Sequence, residues 1–560
     1  MGLNTLPTTT AGTRPEQFPN QLLFSRNPVV LAFLLAILLA AGLAFRVCAL
    51  GTESLGEDEF NKLQTVAEYR ENGLSSRNGE HPFLMKGLQA VSIITGEKLN
   101  ASFGANISEE AALRFPIALF GTFSALLLFF LVSEMFGSGV GLVSAALWAV
   151  EPMAIGFDRV AKEDSLALFF FLLAAWLWLK GQSAAETGRA TWIRWLWLAA
   201  AAFGAMLASK YYASLLAVAV AYYHTFNRLP EHKWRIGKQR WLIFFVIMGI
   251  TLLALNPTLL LPDTWREMMK FSSEGRIGHD SYEYMGVLYQ HTATAWLAGV
   301  PWTFYYVLAG IKTSLTTLLF FVPGLFLIVR RKMGDGRYFM FFWLWIWYLP
   351  FTVLGGKFMR YFTISEPLLL ITAAVGFCVV VGWIAGRLPL TAAGKAIFQF
   401  LLFAALLVLP IIDSLSAAPH YRLFTNPLGV GAAAAGRGFP HDEFYDASTR
   451  DVIAAIAGKA RQGAVVACET PGLFQYYAQK RGRSDMVFMP LSDKQKVREL
   501  AEGDFIVLTM GRRYFSNDGY FELLKNVPAV ADTNIMGAVS SRIYQLDAPT
   551  LAGVRAIAQP

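Results

Sequence analysis

Apolar runs of roughly 18 to 25 residues recur along most of this chain, each long enough to cross about 30 Å of hydrocarbon as a helix. They predict spans near 28–50, 115–136, 138–156, 164–182, 192–209 and 210–227, then near 240–257, 312–330, 338–356, 362–386 and 395–416. About eleven spans make a polytopic α-helical membrane protein. A composition 55% hydrophobic and only 16% charged excludes an ordinary soluble globular fold.

The net charge of +8 raises the question of a nucleic-acid partner. Lys and Arg gather instead in short segments between apolar runs, which is a topological pattern, so no nucleic acid is expected. The loops "NRLPEHKWRIGKQR" (227–240) and "RRKMGDGR" (330–337) carry the strongest positive-inside signal and belong in the cytoplasm. Counting outward from them places residues 1–27 inside as a cytoplasmic tail and the loops 51–113 and 258–311 outside. An odd number of spans sends the C-terminus outside as well. Arg46, near the far end of the first run, fits poorly with a cleavable signal peptide, so that run is expected to remain as a permanent helix. The three cysteines, Cys48, Cys378 and Cys468, form no disulfide framework.

The pattern changes after the membrane region, 28–416. A Gly/Ala-rich stretch, 417–440, reads as a plain linker, and its glycines do not sit between a strand and a helix as a nucleotide-binding loop requires. Residues 441–560 then alternate helix-like "DVIAAIAGKA", "LFQYYAQK" and "KQKVRELAE" with strand-like "AVVACE", "DMVFMPL" and "DFIVLTM". That order predicts a small extracytoplasmic α/β domain, expected to be accessory.

Ionisable residues beside a span are costly, so their placement carries information. Here they share the predicted outer face: Asp58 and Glu59 in "GEDEF", His81 and Lys86 in "HPFLMK", Arg114 in "LRFP", and Arg159, Lys162 and Asp164 in "FDRVAKED". Further on come Lys210, then Glu274, His279 and Asp280 in the second outer loop, and Lys357 and Arg360 in "GKFMRY". Any one of them alone is explained by solvation or by snorkelling. Many cations at outer ends, against the positive-inside bias, point to an anionic partner there. The span centres are almost uncharged, which argues for chemistry at the outer interface rather than passage through the membrane.

A lipid phosphate leaving group fits this set. Cations neutralise the phosphate as its bond to a sugar breaks, and a carboxylate takes the proton of an attacking hydroxyl. A preactivated lipid-linked donor is the expected energy source outside the cytoplasm. The alternative is a non-catalytic transport or assembly component for envelope glycans that binds polyprenyl phosphate through the same cations.

The stretches "DEF", "HPFLMKGL", "ALRFPIALFGTFSALLLFFLV", "FDRVAKEDSLALFFFLLA", "ASKYYASL", "GHDSYEYMG", "IKTSL" and "GKFMRYFTISEPLLL" occur in an order and spacing that resemble the bacterial members of glycosyltransferase family 39. That family is related to protein O-mannosyltransferases and lipid A aminoarabinose transferases, within the GT-C superfamily. The resemblance covers roughly residues 30 to 390. It implies an inverting transferase in a bacterial inner membrane that moves a sugar from a polyprenyl-phosphate donor to a hydroxyl of a protein, glycolipid or envelope glycan.

On this resemblance Asp58 is the general base, and Glu59 either orients acceptor or sugar or caps a helix beginning "NKLQTVAEY". Glu57 is left as a solvated neighbour. The family motif similar to His-Pro-Pro-Leu-Gly-Lys falls on residues 81–86, with Phe83 and Met85 replacing the second Pro and the Gly, and it makes Lys86 a donor-phosphate candidate. Arg114, Arg360, Arg159 and Lys357 join it, with Arg159 and Asp164 open also to a structural Arg–Asp pair. His81, Asp164, Lys210 and His279 are candidate acceptor or sugar contacts, and Lys312 recurs without a clear role. No metal ligands are assigned; some relatives have metal near the site, which leaves a divalent ion open. The large carbohydrate-binding-like insertion of the eukaryotic enzymes is missing from the second outer loop, which marks a bacterial type.

Overall fold

The computed structural model describes residues 22–227, 232–273, 276–292, 296–330 and 333–559. The first membrane helix, α1 (Pro28–Val47), starts where the Asn27 side chain accepts from the amides of Val29 (2.9 Å) and Val30 (3.3 Å), an N-cap with Pro at the first helical position. The loop that follows folds into α2 (Glu57–Asn72) and α3 (Phe83–Phe103). Then come α4 (Glu109–Phe136), α5 (Ser138–Val150), the short α6 (Pro152–Phe157), α7 (Glu163–Glu186), α8 (Trp192–Ser209), α9 (Ser214–Phe226) and α10 (Lys238–Leu255).

The second large loop contains α11 (Pro262–Ser273), the antiparallel hairpin β1 (Arg276–Tyr284) and β2 (Val287–Thr292), and α12 (Phe304–Lys312). Glu274 lies outside the described residues. The membrane region closes with α13 (Leu315–Arg330), α14 (Gly336–Trp343), a π-helical turn at Leu344–Tyr348, α15 (Leu349–Val353), α16 (Glu366–Arg387) and α17 (Ala392–Ala417).

Seven of these helices, α1, α4, α7, α8, α10, α16 and α17, are long and apolar enough to cross a membrane, and α5, α9 and α13 are shorter apolar helices. Two predicted spans differ in form. The run 138–156 breaks at Glu151, where Pro152 starts a new helix. The run 210–227 opens with Lys210 in an extended conformation, so its helix begins only at Ser214. Apolar windows of α4, α7 and α16 are 67%, 72% and 78% buried, against 11% for α1 and 6% for α10. The first three therefore form the bundle centre, and the last two turn apolar faces outward, as lipid contact requires. Where α13 crosses α16, a Cβ on Gly324 would run into the Thr372 carbonyl and one on Gly376 into that of Phe320. Glycine is what lets these backbones touch.

After α17 the chain does not run free. Asn426 Nδ2 donates to the carbonyls of Gly310 (2.8 Å) and Thr313 (2.7 Å), and Arg422 pairs with Glu53 at 2.8 Å. The plain linker expected over 417–440 is instead stitched onto the membrane region, because buried polar side chains replace the hydrogen bonds that water would otherwise supply.

The C-terminal region carries α18 (Pro440–Phe444), α19 (Thr449–Ala457), β3 (Val465–Cys468), α20 (Pro471–Lys480), β4 (Val487–Pro490), α21 (Lys494–Val497), β5 (Phe505–Thr509), α22 (Asp518–Leu524), β6 (Ala531–Ile535), β7 (Ala538–Gln545) and α23 (Ala548–Ile557). The strand order is β4-β3-β5-β7-β6. β3, β4 and β5 are parallel, and β7 is antiparallel to both β5 and β6. The three predicted strands are present, whereas the β6–β7 hairpin and α22 and α23 went unread. "KQKVRELAE" forms only one turn. Leu55, Phe60 and Val66 from the α2 segment share a buried cluster with Val452, Val466 and Phe474 of this domain. Each such side chain contributes on the order of 1.5–3 kcal/mol of burial, so the domain is fixed on top of α2.

Candidate functional site

The site begins at the helix start that "GEDEF" encodes. α2 opens at Glu57, four residues earlier than expected, with Gly56 as N-cap. Glu59 accepts from the Gly56 amide (2.8 Å), the Ala161 amide (2.7 Å), and Arg114 Nε (2.9 Å) and Nη2 (2.6 Å). The remaining Arg114 donors reach the carbonyls of Leu50 (3.1 Å), Glu53 (3.0 Å) and Ser54 (2.6 Å). Both side chains are buried. Every strong hydrogen-bonding direction of this pair is used inside the protein, so Glu59 and Arg114 fasten the loop after α1 to α4 and leave little for a ligand.

Asp58, one residue earlier, faces differently. Its side chain is 38% exposed, and its Oδ2 lies against Lys162 Nζ in a direct ion pair. Tyr445 donates its hydroxyl to the same oxygen at 3.3 Å. One turn along α2, on the face of Asp58, Lys62 pairs with Glu163 at 3.0 Å, and His81 Nδ1 lies 3.7 Å from Glu163. Asp164 accepts from Lys210 Nζ (2.7 Å) and the Tyr212 hydroxyl (3.0 Å). Arg360 lies over the Phe358 ring at 3.7 Å and is 3.7 Å from Asp442. Lys162, Asp164, Arg360, Asp442 and Tyr445 line a small cavity of about 10 Å³, room for about one water.

Burial alone would raise the Asp58 carboxyl, but Lys162, Arg360 and Lys62 hold it well below the usual carboxylate range. It is ionised at neutral pH. Burial pushes the His81 imidazole down to about 3, with Lys62 and Lys162 repelling a proton against the pull of Glu163. His81 is therefore a neutral hydrogen-bonding group at pH 7, not a cation.

Several expected phosphate contacts lie elsewhere. Lys86 Nζ donates to the carbonyls of Asn78 (2.7 Å) and His81 (2.9 Å), shaping the loop before α3. Arg159 reaches the carbonyls of Phe45 (3.1 Å), Arg46 (3.0 Å), Cys48 (2.8 Å) and Ala49 (2.9 Å), closing the end of α1. Lys357 donates to the carbonyls of Val300 (2.7 Å) and Leu354. The Arg159–Asp164 pair does not form; Asp158 pairs with Arg46 at 2.7 Å instead. His279 stacks on Tyr514 with centroids 4.1 Å apart, accepts from Arg512 at 2.9 Å and lies 3.6 Å from Glu57. Lys312 pairs with Glu443. Among the described residues no group of three or more His, Cys, Asp or Glu is placed to hold a metal ion.

Much of the site comes from the segment that read as linker and accessory domain. Tyr445 covers the start of α2 so closely that a Cβ on Gly56 would strike its ring. Asp446 accepts from the Glu57 amide (3.1 Å) and pairs with Arg512, which also reaches Glu57 at 2.8 Å, so Glu57 is not a merely solvated neighbour. Asp442 accepts from the Tyr282 hydroxyl (2.6 Å) and the Met359 amide (2.9 Å). The signal was present in "PHDEFYD", a second "DEF" with acids at 442, 443 and 446.

A helical membrane bundle carries an ionised carboxylate and clustered cations at one end and is roofed by a small α/β domain, which makes this chain a polytopic membrane protein. The apo oligosaccharyltransferase of Archaeoglobus fulgidus is similar in structure, with a TM-score of 0.51 at 10% identity, covering 86% of this chain and 70% of that one. ArnT from Cupriavidus metallidurans bound to undecaprenyl phosphate gives a TM-score of 0.47 at 13% identity, covering 94% and 99%. In sequence, residues 100–260 match the family described as dolichyl-phosphate-mannose-protein mannosyltransferase. The putative mannosyltransferase YkcB of Bacillus subtilis strain 168 is 30% identical over 122 residues, 20% of this chain and 16% of the relative's length. The matched family segment contains Arg114, Lys162, Asp164 and Lys210 but neither Asp58 nor Arg360.

Proposed function

We propose that this chain is a glycosyltransferase that moves one sugar from a polyprenyl-phosphate carrier to an acceptor hydroxyl at the extracytoplasmic face of a bacterial inner membrane. The observation that carries the reading is the Asp58–Lys162 ion pair, set beside Arg360 at the end of a membrane bundle. The name of the family matched over residues 100–260 supports the donor class.

Asp58 takes the proton of the acceptor hydroxyl as its oxygen attacks the anomeric carbon. The bond from that carbon to the phosphate oxygen breaks, giving a glycoside of inverted configuration, polyprenyl phosphate and a protonated Asp58. Lys162 and Arg360 are now balanced by carboxylates, Asp58 and Asp442. A donor phosphate would replace those carboxylates and stabilise the charge that grows on the leaving group. Asp164, held by Lys210 and Tyr212, borders the same cavity and is placed to accept from a sugar hydroxyl. His81, neutral and half-buried, is a second hydroxyl partner. Lys86, Arg114, Arg159 and Lys357 hold backbone in place, and Glu59 supports the helix that presents Asp58. The N-terminus is assigned to the cytoplasm and the α/β domain to the other side, where it closes the site.

The test is mass spectrometry of lipids and glycoconjugates from cells with the wild-type protein, cells lacking it, and cells with Asp58→Asn at matched protein levels. Accumulation of one polyprenyl-phosphate sugar and loss of one glycosylated product in both altered strains supports transfer. If the Asp58→Asn cells match the wild type while the deletion does not, binding or transport of polyprenyl phosphate takes its place.

A further inference from the structure

The cavity beside Tyr445 is too small for the ligand its cations would attract. It has about 10 Å³, room for one water, against about 300 Å³ at the lower end of small-molecule sites. A wall must give way before a sugar phosphate can reach Lys162 and Arg360. Most of the polar walls are held fast. Asp164 accepts from Lys210 (2.7 Å) and Tyr212 (3.0 Å), Asp442 accepts from Tyr282 (2.6 Å) and the Met359 amide (2.9 Å), and Arg422 donates to Glu53 (2.8 Å). Among the described residues the Tyr445 side chain makes one hydrogen bond, to Asp58 at 3.3 Å, which is long for a hydroxyl donor.

That one bond is made at a cost. Tyr445 (φ 46°) and Asp446 (φ 59°) are consecutive non-glycine residues in the left-handed region, a conformation unfavourable for a bulky side chain and kept only where the surroundings impose it. Here they do. Glu443 pairs with Lys312, and Asp446 accepts from Arg512 at 2.8 Å, so the backbone is pinned on both sides of Tyr445. The ring lies across Gly56, whose missing side chain makes room for it. Space filling does not call for a strained tyrosine opposite a glycine, whereas a hydrogen bond to Asp58 does. Burial and the neighbouring Asp58 charge push the ionisation of Tyr445 well above the ordinary range, so its hydroxyl stays a donor.

An acceptor hydroxyl has to make this same bond, O–H to the Asp58 carboxylate, before it can give up its proton. We propose that Tyr445 holds the acceptor's place on Asp58, and that the donor phosphate, on reaching Lys162 and Arg360, turns the Tyr445 side chain out. The pinned backbone stays where it is and only the side chain moves. The acceptor's place therefore opens once the donor is bound, and the acceptor binds second. This order rests on Asp58 being the base for transfer.

The full chain in lipid nanodiscs is compared with undecaprenyl phosphate, which carries the donor's phosphate without a sugar, and with undecaprenol, which has the tail alone. A thermal midpoint raised by the first and not by the second reports phosphate binding. Hydroxyl-radical footprinting, read by mass spectrometry on the tryptic peptide "GFPHDEFYDASTR" (438–450), reports the exposure of Tyr445, its only tyrosine. Tyr445 is 7% exposed, and its oxidation is expected to rise severalfold with undecaprenyl phosphate and to stay low with undecaprenol. Tyr544, 1% exposed in the core of the C-terminal domain, is expected to stay protected throughout. A raised midpoint with Tyr445 still covered overturns the proposal and leaves transfer standing. No rise in midpoint overturns both. Exposure of Tyr445 by undecaprenol as well also overturns the proposal, as does parallel exposure of Tyr544, which would mean that the whole domain loosens.

Discussion

Lys162 places its ammonium directly against Asp58 Oδ2, so the proposed base and a proposed phosphate partner rest on each other. The pair holds Asp58 ionised beside Lys162, which lines a small cavity together with Arg360 and Asp442. Asp58→Asn removes the proton acceptor but keeps the shape, and its expected cost is about 10² to 10⁴ in turnover. Asp58 is 38% exposed and the asparagine keeps an oxygen facing Lys162, so the thermal midpoint of the purified variant is expected to fall less than when a fully buried pair such as Glu59–Arg114 is broken.

The same pair gives a pH signature with a definite sign. Burial lowers the Lys162 ammonium to about 8 despite the pull of Asp58, with Arg360 and Lys62 repelling it. Below that pH it is charged and attracts a phosphate; above it the charge is lost. The second-order rate constant kcat/KM, which follows groups of the free enzyme, is expected to fall above pH 8. No acid limb is expected within the usual carboxylate range, since Asp58 titrates below it. Lys162→Arg keeps its charge at high pH and is expected to remove the alkaline fall. A rate that rises through pH 8 would mean that Lys162 restrains the base rather than binding phosphate.

The membrane helices were legible because a span needs a long apolar run, and that requirement is written in consecutive residues. Asp58 drew notice for a related reason, as an acid beside a span that hydration alone explains poorly. What failed was the division of labour among the cations. Lys86, Arg114 and Arg159 have the composition of a phosphate site, yet Lys86 and Arg159 spend their donors on carbonyls of a nearby loop and Arg114 on such carbonyls and on Glu59, a choice set by tertiary distances that no local pattern encodes. Lys162 stood in the same turn and differed only in pointing at Asp58. Tyr445, Asp446 and Arg512 lie hundreds of residues from α2 in sequence, and only folding of the C-terminal domain onto the bundle brings them there.

Glu59 and Arg114 are expected to behave as structural residues. Removing one partner of a buried pair strands the other charge and typically costs about 3–5 kcal/mol. Arg114→Met and Glu59→Gln should therefore lower the thermal midpoint and the yield of folded protein, as read by size-exclusion chromatography and a melting curve in nanodiscs. Asp58→Asn, at a carboxylate that is 38% exposed, should lower both less. A normal melting curve for Arg114→Met, together with a raised KM for the donor, would return Arg114 to the phosphate.

Arg512 tests whether the C-terminal domain positions the site or merely covers it. Its guanidinium joins Asp446, Glu57 and His279, and Asp446 also accepts from the amide that opens α2. Arg512→Ala leaves Asp446 buried without its cation and loosens Glu57 at the first position of the helix that carries Asp58. Hydrogen exchange measured by mass spectrometry is expected to speed up across residues 57–72, and turnover to fall at least about tenfold, since small displacements of a reacting group are costly. Arg512→Lys is expected to recover part of both, because a single ammonium satisfies one carboxylate but not the fork. If exchange in 57–72 is unchanged while turnover falls, Arg512 acts on substrate rather than on the helix. If neither changes, the domain's contact with α2 is packing alone.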